Sequence, residues 1–477
     1  MVITQNFILN NIFIDFYIKQ LYYVMWRDRK VLTKIKLKNF KVFDDISIDL
    51  ADKKGKPLKY VFLYGENGAG KSSILKSISF LEDSLTTLTT LEHIEKIISQ
   101  IENDEKNFPD ISLSDIISRY KMRQTIDDMA KRYRMIDSND DMILHYSFFI
   151  NEKKATYELI FNQQNELVKE VFGCVLDKRI ANIFTLTKND FTFNRSLFKS
   201  SKYKKELIDL YKRYWGKHTF ASILIKQIID NNSKYMNEQI DSNVFNTFYE
   251  LVIRLIGHQK DVNSSGVVFS SPFDGMGIHD IDSGEIDLKD EKTLDTVSLY
   301  IKEILTNINS TISNVFYEKK LIDDRIKYSL QIEKIISNKK RTIPYNKEST
   351  GTKNIIEMLP FLIQFIRGNV CIMDEIDSGI HDLLFENLIS DMMHNEASSN
   401  FGQLIASTHN TKIIHSLDAH NTFLILVDGK TGKREIKTFA DLEVNHRSDN
   451  NYEVKYLNDK YGGLPPKFKL DYSKMIE

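Results

Sequence analysis

Apolar and polar residues alternate over 33–50, where Ile35 and Leu37 and then Ile46, Ile48 and Leu50 recur at every second position. That period predicts two strands of a half-buried antiparallel sheet. Lys53 to Lys56, with Gly55, reads as a polar turn. Tyr60-Val61-Phe62-Leu63-Tyr64 is a short, unbroken apolar run, the pattern of a strand buried on both faces. After Lys71 the period changes, and Ile74, Leu75, Ile78 and Leu81 predict a helix over 72–83. Residues 88–136 read as polar helices broken near Pro109. Strand signals return over 142–172, as Ile143 to Ile150, Tyr157 to Phe161 and Leu167 to Val171. Long helical patterns are expected over 200–260 and 291–335, and a loop with short strands over 261–290, rich in Gly, Ser and Asp.

The last third alternates helix and strand. Ile355 to Ile366 predicts an apolar helix, Val370 to Met373 a buried strand and Phe385 to Met393 a helix. Leu404 to Thr408 and Phe423 to Val427 predict two more strands. The expected class is α/β, with one core built from two sequence blocks and a largely helical insertion between them. The segments are a 1–30 extension, a first core part at 31–84, an insertion at 85–344, a second core part at 345–440 and a tail at 441–477. No a/d heptads persist over 200–260, so a compact helical subdomain is expected there rather than a long coiled coil.

Composition narrows the classes. The chain has 477 residues, enough for several domains of about 100–200 residues each. Its 42% hydrophobic and 27% charged content excludes disorder as the main state. Lys+Arg (65) and Asp+Glu (66) nearly cancel, which excludes a nucleic-acid coat held by overall charge but not a local patch. Two cysteines, Cys174 and Cys371, exclude a disulfide framework and suit a reducing, cytoplasmic setting. No stretch reaches the roughly 20 apolar residues of a membrane span. Met1 to Met25 is apolar-rich and reads either as a short docking helix or as an extension upstream of a start at Met25.

Three apolar runs end in candidate chemistry. Gly65-Glu66-Asn67-Gly68-Ala69-Gly70-Lys71-Ser72, followed by Ser73, fits the G-x-x-x-x-G-K-[ST] phosphate loop. Glycines let backbone N–H groups turn inward around a phosphate, and the following helix start adds its dipole. Lys71 would reach the β- and γ-phosphates, and the Ser72 hydroxyl suits Mg²⁺. Val370 to Met373 ends in Asp374-Glu375, where Asp374 can hold Mg²⁺ and Glu375 can polarise an attacking water. Ser407-Thr408-His409 ends a third run, and His409 can meet a γ-phosphate from the side. Strand ends of this kind carry ligands in open α/β sheets. Ser349-Thr350-Gly351-Thr352 precedes the 355–366 helix and reads either as a helix cap or as an anion site.

Taken in order, phosphate loop, long insertion, Ser349-Thr350-Gly351, Asp374-Glu375 and His409 resemble the ATP-binding-cassette ATPases of the RecF/SMC/Rad50-like group. Ser349 and Gly351 match that group's signature, while Thr350 and Thr352 depart from it. Leu37 to Phe43 is similar to its first strand, and Asp377 falls where its D-loop lies. Glu348 to Lys353, Asp374 to His381 and Thr408 to Thr411 are more similar still to the AbiLi/RloA-like branch of AAA-family ATP/GTP phosphatases linked to phage defence, as is the tail Tyr456-Leu457 … Tyr461-Gly462-Gly463-Leu464-Pro465. The resemblance implies ATP and Mg²⁺ as cofactors. It also implies a homodimer or larger homo-oligomer, with Ser349, Thr350 and Gly351 facing the phosphate loop of a second copy. A Q-loop glutamine has only Gln163 and Gln164 as candidates.

Three functions fit these residues. One is a slow ATPase acting as sensor or scaffold of an anti-phage complex, with cutting left to a separate TOPRIM- or RloB-like nuclease. The second is a DNA-repair or chromosome-maintenance ATPase that binds duplex directly. For it, Lys199, Lys202, Lys204, Lys205, Lys212, Arg213 and Lys217, with Tyr203, Tyr211, Tyr214 and Trp215 interleaved, offer charge and stacking. The same run also reads as a solvated helix face with its rings turned inward. The third is a nucleotide-gated assembly module without turnover.

Overall fold

The computed structural model describes residues 32–103, 125–150, 152–175, 179–255, 259–260, 281–322, 324–395, 401–443 and 451–464. The N-terminal docking helix, the break at Pro109 and most of the 261–290 loop lie outside them.

β1 (Leu32–Phe40) and β2 (Phe43–Asp49) form the expected antiparallel pair, with Ile35 opposite Ile48 and Leu37 opposite Ile46. β3 (Tyr60–Tyr64) is buried along its whole length and leads to α1 (Lys71–Asn103), which outruns the 72–83 prediction. After α2 (Ile126–Tyr133) come β4 (Met142–Ile150), β5 (Lys153–Phe161), β6 (Leu167–Val175), β7 (Ile180–Leu186) and β8 (Phe191–Phe193). These strands extend the β1–β2 pair into one seven-stranded sheet, ordered β2-β1-β4-β5-β6-β7-β8. Part of the inserted sequence therefore completes a sheet that the first core block begins.

The helices expected over 200–260 are α3 (Ser201–Tyr214), α4 (Phe220–Asp230), α5 (Ser233–Gln239) and α6 (Ser242–Leu255). Glu170 of β6 anchors them. Its buried carboxylate accepts from the hydroxyls of Tyr157 and Tyr211 and from the Phe220 and Ala221 N–H groups at the start of α4. Burial raises its pKa, and the four bonds oppose that shift.

β9 (Gln259–Lys260) and β10 (Ser283–Asp287) follow. The long helical pattern expected over 291–335 is only partly formed. Only α7 (Glu291–Ile308) is helical; β11 (Ile312–Ile322), β12 (Arg325–Ile336) and β13 (Lys339–Pro344) are antiparallel strands. Ile326, Tyr328, Leu330 and Ile332 bury one face of β12 at period two, against α7 and α8 (Thr350–Ile366) in a shared core.

β14 (Val370–Met373), α9 (Asp382–His394), β15 (Gln403–Ser407), β16 (Thr422–Val427), β17 (Arg434–Thr438) and α10 (Tyr452–Leu457) complete the chain. Six strands form the second large sheet, ordered β17-β16-β3-β15-β14-β9 and parallel except for β17. Its inner strands serve two cores. Val61, Leu63, Val370, Ile372 and Ile405 join the core beneath the antiparallel sheet. Tyr60, Phe62, Tyr64, Cys371, Met373, Leu404 and Ala406 join the core under α8 and α9. This is why these strands read as unbroken apolar runs.

Gln403, fully buried at the start of β15, ties the two sheets together. It accepts from the Leu32 N–H and donates to the Leu32 and Leu58 carbonyls, each at 2.9 Å. Gln403→Leu leaves three buried backbone groups without this partner. Urea unfolding is expected to show a loss of about 2–4 kcal/mol, since each orphaned group costs roughly 1–3 kcal/mol and relaxation recovers part.

Candidate functional site

The loop between β3 and α1 depends on glycine. Gly65, Gly68 and Gly70 have φ of +143°, +81° and +121°. A Cβ on Gly70 would lie 2.5 Å from the Phe43 ring, and one on Gly65 2.9 Å from the Ile425 carbonyl. Two of the three positions thus need glycine for space as well as for conformation. Lys71 opens α1, and its ammonium donates to the Gly65 and Glu66 carbonyls at 2.7 and 3.2 Å. Burial holds that ammonium below its ordinary range, while the Asp374, Glu375, Asp377 and Glu66 carboxylates oppose the shift. Ser72 and Ser73 are half-buried in the same first turn. Beside the loop, Lys41 has φ of +53°, and burial with the charges of Lys76 and Arg132 lowers its pKa.

One hydroxyl organises the acidic strand end. Ser407 Oγ donates to the buried Asp374 carboxylate and accepts the Glu375 N–H at 2.7 Å. The Ser407 carbonyl accepts the Ile376 N–H at 3.1 Å. Glu375 is thereby held at φ +47°, a left-handed conformation that costs a non-glycine residue of order 1–3 kcal/mol. Strain of this kind gathers at functional sites.

His409 is exposed between buried Thr408 and Asn410. Its N–H points at both Asp377 carboxylate oxygens, at 3.3 Å each. The Tyr64 hydroxyl donates to the Asn410 carbonyl at 2.9 Å, which joins the end of β3 to this segment. Just beyond it, Glu453 of α10 meets Thr411 Oγ1, Lys412 Nζ and His415 Nε2 at 3.2, 3.1 and 2.5 Å. Asn67, Glu375, Asp377, Ser378 and His409 line one open cleft of about 320 Å³.

The β3, β14 and β15 ends thus bring the phosphate loop, Lys71, Asp374, Glu375 and His409 to one edge. Ser349, Thr350 and Gly351 are placed elsewhere. Ser349 caps α8 by accepting the Thr352 N–H at 3.2 Å, and Ser349 and Thr350 are exposed. Glu348 behind them pairs with Lys334 at 2.6 Å. A Cβ on Gly351 would stand 2.9 Å from the Gly379 carbonyl, and Asn354 donates to the Ser378 carbonyl at 2.8 Å. This helix start therefore rests on the loop that follows Glu375, outside the lining of the cleft.

Gln163 and Gln164 lie exposed in the β5–β6 turn and are not among the residues lining the cleft. The stacking role suggested for 199–217 is closed to Tyr203 and Tyr211. Tyr203 and Tyr211 are buried in the core, and Tyr214 and Trp215 pack against it. Lys202, Lys204, Lys205, Lys212 and Arg213 remain exposed, as the solvated-face reading has it. Sequence reasoning missed Ser407 and Arg434 as parts of the site. Ser407 had one signal, its place at the end of a buried strand; Arg434 had none.

Among the described residues no helix is long and apolar enough to cross a membrane, and no group of three or more His, Cys, Asp or Glu side chains could hold a metal ion. The family model described as AAA ATPase domain matches residues 31–414. A comparison with curated proteins returns no match. Among solved structures, the chain is similar to an Smc head bound to the C-winged helix domain of ScpA, at 16% identity and a TM-score of 0.38, covering 85% of this chain and 97% of that one. It is also similar to an Smc head domain with an extended coiled coil bound to the C-terminal domain of ScpA, derived from Pyrococcus furiosus, at 14% identity and a TM-score of 0.38, covering 90% and 99%. The SMC head domain from Thermotoga maritima matches at 13% identity and a TM-score of 0.35, covering 85% and 98%.

Ser407→Ala removes the acceptor of the Glu375 N–H and the donor to Asp374 together. The expected loss is about 1–3 kcal/mol in urea unfolding. Parental stability would show that Ser407 does not hold this turn.

Proposed function

The chain belongs to the AAA ATPase domain family, and we propose that it binds ATP with Mg²⁺, hydrolyses it slowly and uses it to clamp two copies together. The observation that carries this reading is the meeting, at one sheet edge, of the glycine-built loop, Lys71 and the Asp374-Glu375 strand end. The N–H groups of Gly65, Glu66, Asn67, Gly68, Ala69 and Gly70, with Lys71, Ser72 and Ser73, receive the phosphates in this proposal. The Ser72 hydroxyl and the Asp374 carboxylate are hard oxygen donors of the kind Mg²⁺ takes, and would hold it. Bound there, the ion would neutralise charge on the β- and γ-phosphates. Glu375 orients and polarises the attacking water, and His409 steadies the γ-phosphate from the cleft wall. Lys71 spreads its charge over the leaving and transferred groups.

The exposed helix start at Ser349, Thr350 and Gly351 supports use in trans, toward the phosphate loop of a second copy. ATP then bridges two chains, and Glu375 sets how long the bridge lasts. In this reading 31–84 and 345–440 carry the ATPase residues, on a core that strands of 85–344 help to build. The likeness of Glu348 to Lys353, Asp374 to His381 and Thr408 to Thr411 to the phage-defence branch supports a sensor or scaffold role beside a separate nuclease. The repair alternative would rest on the exposed lysine face of α3. A duplex affinity that falls steeply with salt, measured on this protein alone, would select it.

Lys71→Ala is expected to weaken binding of a fluorescent ATP analogue at least about tenfold. Parental affinity would overturn the phosphate-loop assignment. Glu375→Gln is expected to keep ATP bound and raise the dimer fraction in sedimentation with ATP, while phosphate release falls by about 10²–10⁴. A parental release rate would remove Glu375 as the base.

A further inference from the structure

Several carbonyls behind the phosphate loop share one donor. Arg434, the first residue of β17, donates from Nε to the Ala69 carbonyl at 2.9 Å and from Nη2 to the Gly68 carbonyl at 3.4 Å. Its Nη1 donates to the carbonyls of Val42 at 3.0 Å and Gly432 at 2.8 Å. A loop whose N–H groups turn toward an anion must turn carbonyls outward, and those carbonyls need donors of their own. A guanidinium suits the task because it offers five N–H groups in a fixed plane and keeps its charge at every working pH.

The fork also sets spacing. It ties the loop to the β1–β2 turn through Val42, whose methyl would stand 3.0 Å from a Cβ at Gly70. It ties the loop to the β16–β17 hairpin through Gly432. Three segments far apart in sequence therefore meet on one cation behind the phosphate-facing surface. Arg434 lies beyond residues 31–414, the span that the family model matches, and it is not among the residues lining the cleft.

We propose that Arg434 is a positioning residue that holds the phosphate loop in its nucleotide-receiving shape, so that ATP binding does not have to order the loop. The proposal rests on the reading of that loop as the ATP site. Because Arg434 works through the loop backbone, it acts on affinity and leaves the chemistry at Glu375 alone. Preorganisation of this kind shows in Kd and KM rather than in kcat.

The test compares full-length Arg434→Met, Arg434→Lys and Lys71→Ala in binding of mant-ATP and in steady-state phosphate release. Arg434→Met is expected to raise Kd and KM about tenfold, the loss of two or three charge-assisted bonds, with kcat within about twofold of parental. Arg434→Lys keeps the charge but not the fork, and is expected to recover only part of the affinity. A parental Kd in Arg434→Met overturns the proposal, as does a fall in kcat with KM unchanged. Full recovery in Arg434→Lys also overturns it, because charge alone would then suffice. If Arg434→Met does not fold, Arg434→Lys decides: a raised KM at parental kcat supports the proposal, and a parental KM overturns it. A parental Kd in Lys71→Ala would instead overturn the reading of the ATP site itself.

Discussion

The parallel pairing of β3, β15 and β14 is the constraint on which the rest depends. Parallel neighbours in register end at the same edge: Leu63 lies beside Ser407, and Ala406 beside Met373. Whatever follows each strand must then share one small volume. The phosphate loop follows β3, the carboxylates follow β14, and His409 follows β15. Both faces of these strands are covered, so a slip in register would unpack two cores at once. The geometry of the site is in that sense fixed by apolar packing well away from it.

At the edge itself polar groups oppose the packing. Lys71 and Asp374 are both buried there, and burying charged groups is costly. Their nearness offsets that cost, as does the Ser407 hydroxyl on Asp374. The left-handed Glu375 is a further cost, sustained because its N–H and that of Ile376 are both bonded to Ser407. One serine thus holds the Asp374 carboxylate and the backbone of the turn at Glu375. On the far side of the loop, Arg434 gathers the outward carbonyls. The loop is held between two cations with different duties, one reaching around its inner edge and one fixing its back.

The inserted sequence divides between the two cores. β4–β8 and α3–α6 build the antiparallel side, anchored by Glu170 on the start of α4. α7 and β10–β13 build the other side and lead directly into the Ser349 cap of α8. That cap, Gly351 and the Ser378–Gly379 backbone touch.

Much of this was legible in the sequence by itself. The apolar runs at 60–64, 370–373 and 404–408 read as strands buried on two faces, and each led into residues of phosphate chemistry. The glycine spacing at 65, 68 and 70 followed from local backbone geometry, which a short motif can encode. The strands at 312–336 were not legible as such. Their charged, mixed pattern admits a helix, and pairing with β10 and burial under α7 decided the outcome. Nor could the sequence say that Ser407 and Arg434 belong to the site. Local periodicity and motif spacing act over a few residues, and the sequence determined whatever depends on them. Bonds between Arg434 and Gly68, or between Gln403 and Leu32, join residues hundreds of positions apart. Only the tertiary structure decided those, because they exist only once two sheets have packed.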